Sequence, residues 1–291
     1  FIVMSKVKKM FGELNLTWLR LIIFSVIAGV YTAIMAIIPA TRNTSFRDIT
    51  AIFEVWILFG IIIIMNSKSA IDSALKCFVF FLISQPLVYL IQVPFDGRGF
   101  GLFQNYQHLL ILSLLTIPMG FIGYFMKKDK WWGLLILTPV LLLLGIQLAY
   151  YMRETIFNFP FHLLSTLFCL ATLLLYPLCI FNNKKIKITG VIISTIIILV
   201  ASVISFTNKI VYNTTIFLNN GVSLNEKCSA YLENDSMGKV NIEYDKNFEG
   251  YVVNASFIRG GKTNLIVVDE NGNKTAYELS VSSNTYDISK K

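Results

Sequence analysis

The sequence predicts an all-α transmembrane bundle of seven helices followed by a small C-terminal all-β, Ig-like sandwich. Hydrophobic residues are 55% of the 291 and charged residues only 14%, against about 25% charged in an average soluble domain. The mean hydropathy is +0.64, and several apolar runs reach the ~20 residues that cross a bilayer core as a helix. After about residue 208 the pattern changes, and short runs separated by turn residues replace the long apolar ones.

In chain order, residues before Met4 read as a vector remnant or extended start, too few for a signal peptide. Between Met4 and Arg20, Val7, Met10, Phe11, Leu14 and Trp18 form one helical stripe beside Lys6, Lys8 and Lys9. That pattern predicts an amphipathic helix over 1–16 in the cytoplasmic headgroup region. Seven spans follow within 17–207: Thr17–Pro39, Thr50–Met65, Lys76–Val93, His108–Met126, Trp131–Tyr151, Phe161–Phe181 and Ile188–Phe206. The first is too long for a signal-peptide core.

Charge orients them. Residues 221–291 carry eight Lys/Arg against ten Asp/Glu, so the rest of the chain carries +10, an excess that belongs to the membrane-flanking loops. Lys68 and Lys76, then Lys127, Lys128 and Lys130, then Lys184, Lys185 and Lys187 fall on alternate loops, together with the N-terminal lysines. Positive loops face the cytoplasm, so the N-terminus is expected inside and the C-terminus outside a bacterial cytoplasmic membrane, with membrane lipids as partners. No basic stripe interleaved with aromatics marks a nucleic-acid partner.

Span 1 carries Gly29, Ala33, Ala36 and Ala40, small residues that let another helix approach closely. Packing within the bundle is the first expectation for them, and a second subunit is the alternative. Pro86, Pro118, Pro139 and Pro177 lie inside spans 3 to 6 and predict kinks. Cys77, Cys169, Cys179 and Cys228 form no CxxC pair or disulfide framework, and the three in or beside the spans read as small buried hydrophobes.

Residues 208–221 read as a juxtamembrane stalk and 222–291 as the sandwich. Expected strands are Cys228–Leu232, Val240–Tyr244, Tyr251–Phe257, Asn264–Val268 and Ala276–Val281. Asn271-Gly272 between the last two supplies the positive φ of a tight hairpin. The run GGKTNLIVVDENGNKTAYELSV, 260–281, resembles the closing hairpin of bacterial immunoglobulin-like surface modules. It is also similar to small β domains of pilus and secretin assembly proteins. The resemblance implies an extracytoplasmic β module and brings no catalytic residues. The bundle resembles multi-pass membrane proteins of Gram-positive bacteria.

Polar groups within or beside the spans concentrate toward the expected outer face: Glu54, Gln92, His108, Gln147, Tyr151, Arg153, Glu154 and His162, with Gln85 nearer mid-membrane. Such groups are costly in hydrocarbon and mark a site unless they have structural partners, so they are the ligand-pocket candidates. The stretch Ser84–His108 is the densest in polar residues, and hydrated loop residues are the plain alternative there. His108 and His162 lack HxxxH or HExxH spacing, so no metal is expected, and no cofactor or catalytic motif is present. Gly97–Gly101 lacks the Lys-Ser/Thr of a phosphate loop.

The leading functional expectation is therefore an envelope binding or accessory protein. Residues 222–291 would take a protein partner or envelope polymer. The alternatives are a small-molecule permease or transporter substrate-binding subunit, and a membrane-embedded enzyme acting on a lipid-linked substrate at the outer leaflet.

Overall fold

The structure, a computed structural model, describes all residues except 1–6, 52, 219–223, 247 and 291; the side chains of 49–53 and 105–109 also lie outside the description. It divides into two compact units. One is Phe1–Leu148 with Leu164–Ala201, and the other is Ala149–Leu163 with Ser202–Lys291.

The helices are α1 (Trp18–Ile37), α2 (Ser45–Ala51), α3 (Phe53–Met65), α4 (Ala70–Gln92), α5 (Tyr106–Gly123), α6 (Trp131–Phe157), α7 (Leu163–Ile180) and α8 (Lys184–Thr207). Six of them, α1 and α4–α8, are long and apolar enough to cross a membrane, and Glu54–Met65 is a shorter apolar helix. The protein is multi-pass by this measure. Side-chain oxygens start two of the helices. Thr17 caps α1 by accepting from Arg20 N, and Ser69 caps α4 by accepting from Asp72 N at 3.1 Å, which satisfies amide groups the first turn leaves orphaned. Pro86, Pro118, Pro139 and Pro177 lie inside α4, α5, α6 and α7.

The helix expected over 1–16 is confined, among the described residues, to 7–10. The chain then turns at Phe11–Gly12, where Gly12 has φ +139°, and the Thr17 cap begins a new helix. Phe11 is buried, with its ring 6.1 Å from that of Tyr176. It is therefore a core residue of the helical unit, where the stripe alone predicts a headgroup contact.

Helix α1 runs parallel to α4. At one end Lys76 Nζ donates to Leu16 O at 2.9 Å and lies over the Trp18 ring; further along, Gly29 meets Ser84 and Leu87. Parallel neighbours in sequence require the chain between them to return. It does so through α2 and α3, and the end of α3 arrives beside the start of α1. There Asn66 Nδ2 donates to Met10 O at 2.7 Å, and Leu14 N donates to Asn66 Oδ1 at 2.7 Å. Every described side chain of α3 is buried or half-buried, as expected of a helix apolar on all sides. Helix α5 is antiparallel to α4, since Ser73 Oγ donates to Gly120 O at 2.8 Å.

The lysine loops meet at one end of this unit. Tyr124 Oη donates to Lys68 O, Lys127 Nζ to Ser67 O, and Lys8 Nζ to Asn182 Oδ1. Asp129 accepts from Asn182 N at 3.0 Å and Asn183 N at 2.8 Å. This places a carboxylate where Lys184, Lys185 and Lys187 oppose the positive end of the α8 dipole. Lys76 is buried here, paired with Asp72 at 2.9 Å.

The second unit contains two antiparallel sheets. Strands β1 (Tyr212–Ile216), β4 (Gly250–Phe257) and β3 (Gly238–Asp245) form one, in the order β1-β4-β3. Strands β2 (Ser229–Leu232), β5 (Gly261–Val268), β6 (Lys274–Val281) and β7 (Tyr286–Lys290) form the other, in the order β2-β5-β6-β7. Alternate residues of both sheets build one core: Ile216, Val253 and Phe257 from the first, Leu265, Val267, Tyr277 and Leu279 from the second. The five strands expected are present, four with longer bounds and the first one residue shorter, Ser229–Leu232 in place of Cys228–Leu232. Two more were not expected. Tyr212–Ile216, read as stalk, pairs with β4, and Tyr286–Lys290 pairs with β6.

The β5–β6 connection differs from a two-residue hairpin. Among Asp269–Asn273 only Gly272 has positive φ, +83°, and Asp269 organises the loop by accepting from Asn271 N at 2.9 Å and Asn273 N at 2.8 Å. The Asn273 amide, with the backbone N–H groups, holds the Asp269 carboxyl below the usual carboxylate range.

Two predictions follow from these contacts. A Cβ on Gly29 would stand 2.8 Å from Ser84 O and 3.3 Å from Leu87. Gly29→Leu should therefore destabilise the protein by about 1–3 kcal/mol through overpacking, measured as a lower thermal midpoint in detergent, with Ile27→Leu on the exposed face as the silent control. A carboxylate with a depressed folded pKa adds stability above its unfolded pKa and loses it as pH falls through the folded value. Asn273→Ala should raise the Asp269 midpoint toward the ordinary value in an NMR pH titration, and should remove that part of the acid dependence of the loop.

Candidate functional site

The pocket candidates divide between the two units. Glu54, Gln85, Gln92 and Gln147 belong to the helical unit, and Tyr151, Arg153, Glu154 and His162 to the unit that contains the sheets. The His108 side chain lies outside the described residues. Gln85 is half-buried beside Pro86, and Gln147 is half-buried on α6. Gln92 Nε2 donates to Val88 O at 2.9 Å and so serves its own helix end.

The Ser84–His108 stretch gathers no cluster among its described side chains. Asp96 Oδ1 accepts from Arg98 N at 2.9 Å and Nε at 3.0 Å, and Oδ2 accepts from Nη2 at 3.0 Å. The Arg98 guanidinium pulls the Asp96 carboxyl down to about 2. The two charges satisfy each other in an exposed loop.

In the helical unit the polar centre is Glu54, only 2% exposed. Its Oε1 has no hydrogen-bond partner among the described residues. It interacts electrostatically with Asp48 of α2 and with Cys169 and Tyr176 of α7. On α7, Ser165, Cys169, Thr172 and Tyr176 recur at i, i+4, i+7 and i+11, so they share one face, and all four are buried. Ser165 Oγ donates to Asp48 Oδ2 at 2.9 Å, and its N–H donates to Ser45 Oγ at 3.1 Å. The Tyr176 hydroxyl is buried with no partner among the described residues. The result is a buried Glu54, a half-buried second acid and a buried α7 face of hydroxyls and a thiol. Ionisable residues near span ends do not point to this stripe; its signal in the sequence is the helical spacing of polar residues within span 6.

In the second unit, the end of α6 and the segment after it join the sheets. Phe157, 3% exposed, belongs to the sandwich core, and its carbonyl accepts from Gly260 N at 2.8 Å. Asn158 is buried with its amide against Gly260, where a Cβ would collide with it. Tyr151, Glu154 and His162 are buried on the same segment, and Glu154 Oε2 and Arg153 Nε have no partners among the described residues. Ser205 Oγ of α8 donates to Ala149 O at 3.0 Å.

The outward face of the three-stranded sheet carries a hydrogen-bonded polar row. Thr215 Oγ1 donates to Asn254 Oδ1 at 3.0 Å, Asn254 Nδ2 donates to Glu243 Oε2 at 3.1 Å, and Asn241 Nδ2 donates to Glu243 Oε1. Thr215, Asn241 and Asn254 of this row, with Asn213, Lys239 and Ser256, line an open concavity of about 700 Å³. No group of three or more His, Cys, Asp or Glu placed to hold a metal occurs among the described residues.

The small-residue face of α1 lies against α4 at Gly29, and Ala33 is fully buried, whereas Ala36 is half-buried and Ala40 exposed. Compared with protein-family models, curated proteins and solved structures, the chain matches none.

Removing Phe157 tests the joint between helix and sheets. Phe157→Ala should cost about 3–5 kcal/mol in the second unit, the usual cost of emptying an aromatic core position. Limited proteolysis of the full-length protein should then cut within 208–291 much faster than in the wild type.

Proposed function

We propose that this is a seven-span binding protein of a bacterial cytoplasmic membrane that holds a polar envelope polymer on an extracytoplasmic Ig-like module. The observation that carries the reading is the shallow concavity lined by Thr215, Asn254 and Asn241, the two amides held in place by Glu243. Amides and hydroxyls already oriented by their neighbours present donors and acceptors at fixed spacing. Those groups suit a hydroxyl- and amide-rich chain such as a wall glycan, and their preorganisation limits the ordering cost of binding.

The seven-span orientation is supported by the parallel packing of α1 and α4 and by the meeting of the lysine loops at one end of the helical unit. Positive loops favour the cytoplasm, and an odd number of crossings carries the C-terminus outside. The Ig-like reading is supported by strand order. Taking β1 to β6 as strands B to G gives sheets B-E-D and C-F-G, with β7 added beside G. A permease reading is favoured by the buried Glu54 and by the prolines inside four of the helices, because ionisable groups within spans mark solute or ion paths.

The test is co-sedimentation of the full-length protein, in nanodiscs, with insoluble wall glycan. The wild type should pellet with the polymer, and Asn254→Ala with Asn241→Ala should weaken binding by about tenfold or more, as loss of hydrogen bonds in a formed site implies. Equal retention of the double variant, or no retention of the wild type, overturns the reading. A reporter fused after Lys291 should be active only outside the cell.

A further inference from the structure

We propose that the helical unit contains an internal site for a small monovalent cation, an alkali ion or a primary ammonium group, built on Glu54 and the polar face of α7. The site is independent of what the β module binds. Three observations meet here. Glu54 is almost wholly buried, and one carboxylate oxygen has no hydrogen-bond partner among the described residues. The charged group acting on it is Asp48, a second acid. The Tyr176 hydroxyl, on the same face of α7 as Ser165, Cys169 and Thr172, is also buried and without a partner among the described residues.

An ionised carboxylate in such a place is costly unless a positive charge or several donors compensate it. A second acid nearby raises that cost. A cation removes it and uses both acids. The neutral oxygens on the buried face of α7 have hydrogen-bond states that suit that role. Thr172 Oγ1 gives its hydrogen to the Phe168 and Cys169 carbonyls, at 2.9 and 3.1 Å, and Ser165 Oγ gives its hydrogen to Asp48. With their hydrogens committed, these hydroxyls present lone pairs to their surroundings. Oxygen ligands of this kind suit hard cations. The thiol of Cys169 is a spectator to such an ion.

The site answers to ligand-dependent stability, since a ligand that binds only the folded state stabilises it as its concentration passes its dissociation constant. Full-length protein in detergent is held at constant ionic strength with N-methyl-D-glucamine chloride, which is replaced stepwise by sodium, potassium or methylammonium chloride. The thermal midpoint should rise with the logarithm of concentration for at least one of the three. A response to alkali ions alone assigns a metal ion, and a response to methylammonium assigns an ammonium group.

Glu54→Gln keeps the shape and removes the charge, so its midpoint should be flat. Thr172→Val and Tyr176→Phe should need at least about fivefold more cation for the same rise, as expected for losing one ligand oxygen. They carry the test if Glu54→Gln does not purify as a monodisperse species. A wild-type midpoint that moves with pH but with none of the cations means that Glu54 is held neutral by a proton, and overturns the proposal. So does a Glu54→Gln variant that responds as the wild type does, or a pair of hydroxyl variants that respond unchanged.

Discussion

The close parallel contact of α1 with α4 governs the helical unit. Two parallel neighbours separated by about thirty residues leave those residues one task, to bring the chain back from one end to the other. Close approach is possible because Gly29 leaves room for the Ser84 carbonyl and Leu87. The returning segment then has helices around it, which is why α3 has no exposed described side chain. Glu54 is interior for that reason. Its environment follows from topology, since neighbouring residues such as Phe53 and Val55 give no hint of a polar surrounding.

Hydrogen bonding finishes the lysine end. Loops at a membrane surface still contain backbone groups that need partners, and here side chains from distant parts of the chain supply them. Asn66 serves residues 10 and 14, Asp129 serves 182 and 183, and Lys127 serves Ser67. The lysines therefore do more than set a charge bias. Lys76 is buried and bound to Leu16 O and Asp72, so it ties the starts of two helices together. Its apolar stem suits that position, because lysine covers hydrophobic surface with its methylenes.

Much of this was legible in the sequence, and the failures share a cause. Helix positions, the four helix prolines, the five expected strands and the alternation of lysine loops follow from local period and composition. The missed features depend on contacts between distant segments. Tyr212–Ile216 is too short and too close to a span to announce a strand, and it is one because β4 offers an edge. Phe157 lies beyond the expected fifth span, Trp131–Tyr151, and the sandwich takes it into its core. Ser165, Cys169, Thr172 and Tyr176 were visible as a period of small polar residues. Small polar residues inside spans usually serve helix packing, and only the position of Glu54 gives the stripe a second meaning. In the polar stretch Ser84–His108, Asp96 and Arg98 answer each other, and the side chains of Asn105, Gln107 and His108 lie outside the described residues.

The insertion of Phe157 changes what a domain boundary means in this protein. The sandwich is continuous in space but is assembled from two stretches of chain, with α7 and most of α8 emerging from the ribosome between them. Its core residue from α6 is made early and waits, already fixed at the end of a helix, while the strands that will enclose it are still unsynthesised. The β module is thus not a cassette that recombination can lift out by cutting after α8. A transplanted 208–291 segment would leave behind the aromatic ring around which it closes, and a host protein would have to supply an equivalent one at the mouth of its own helices.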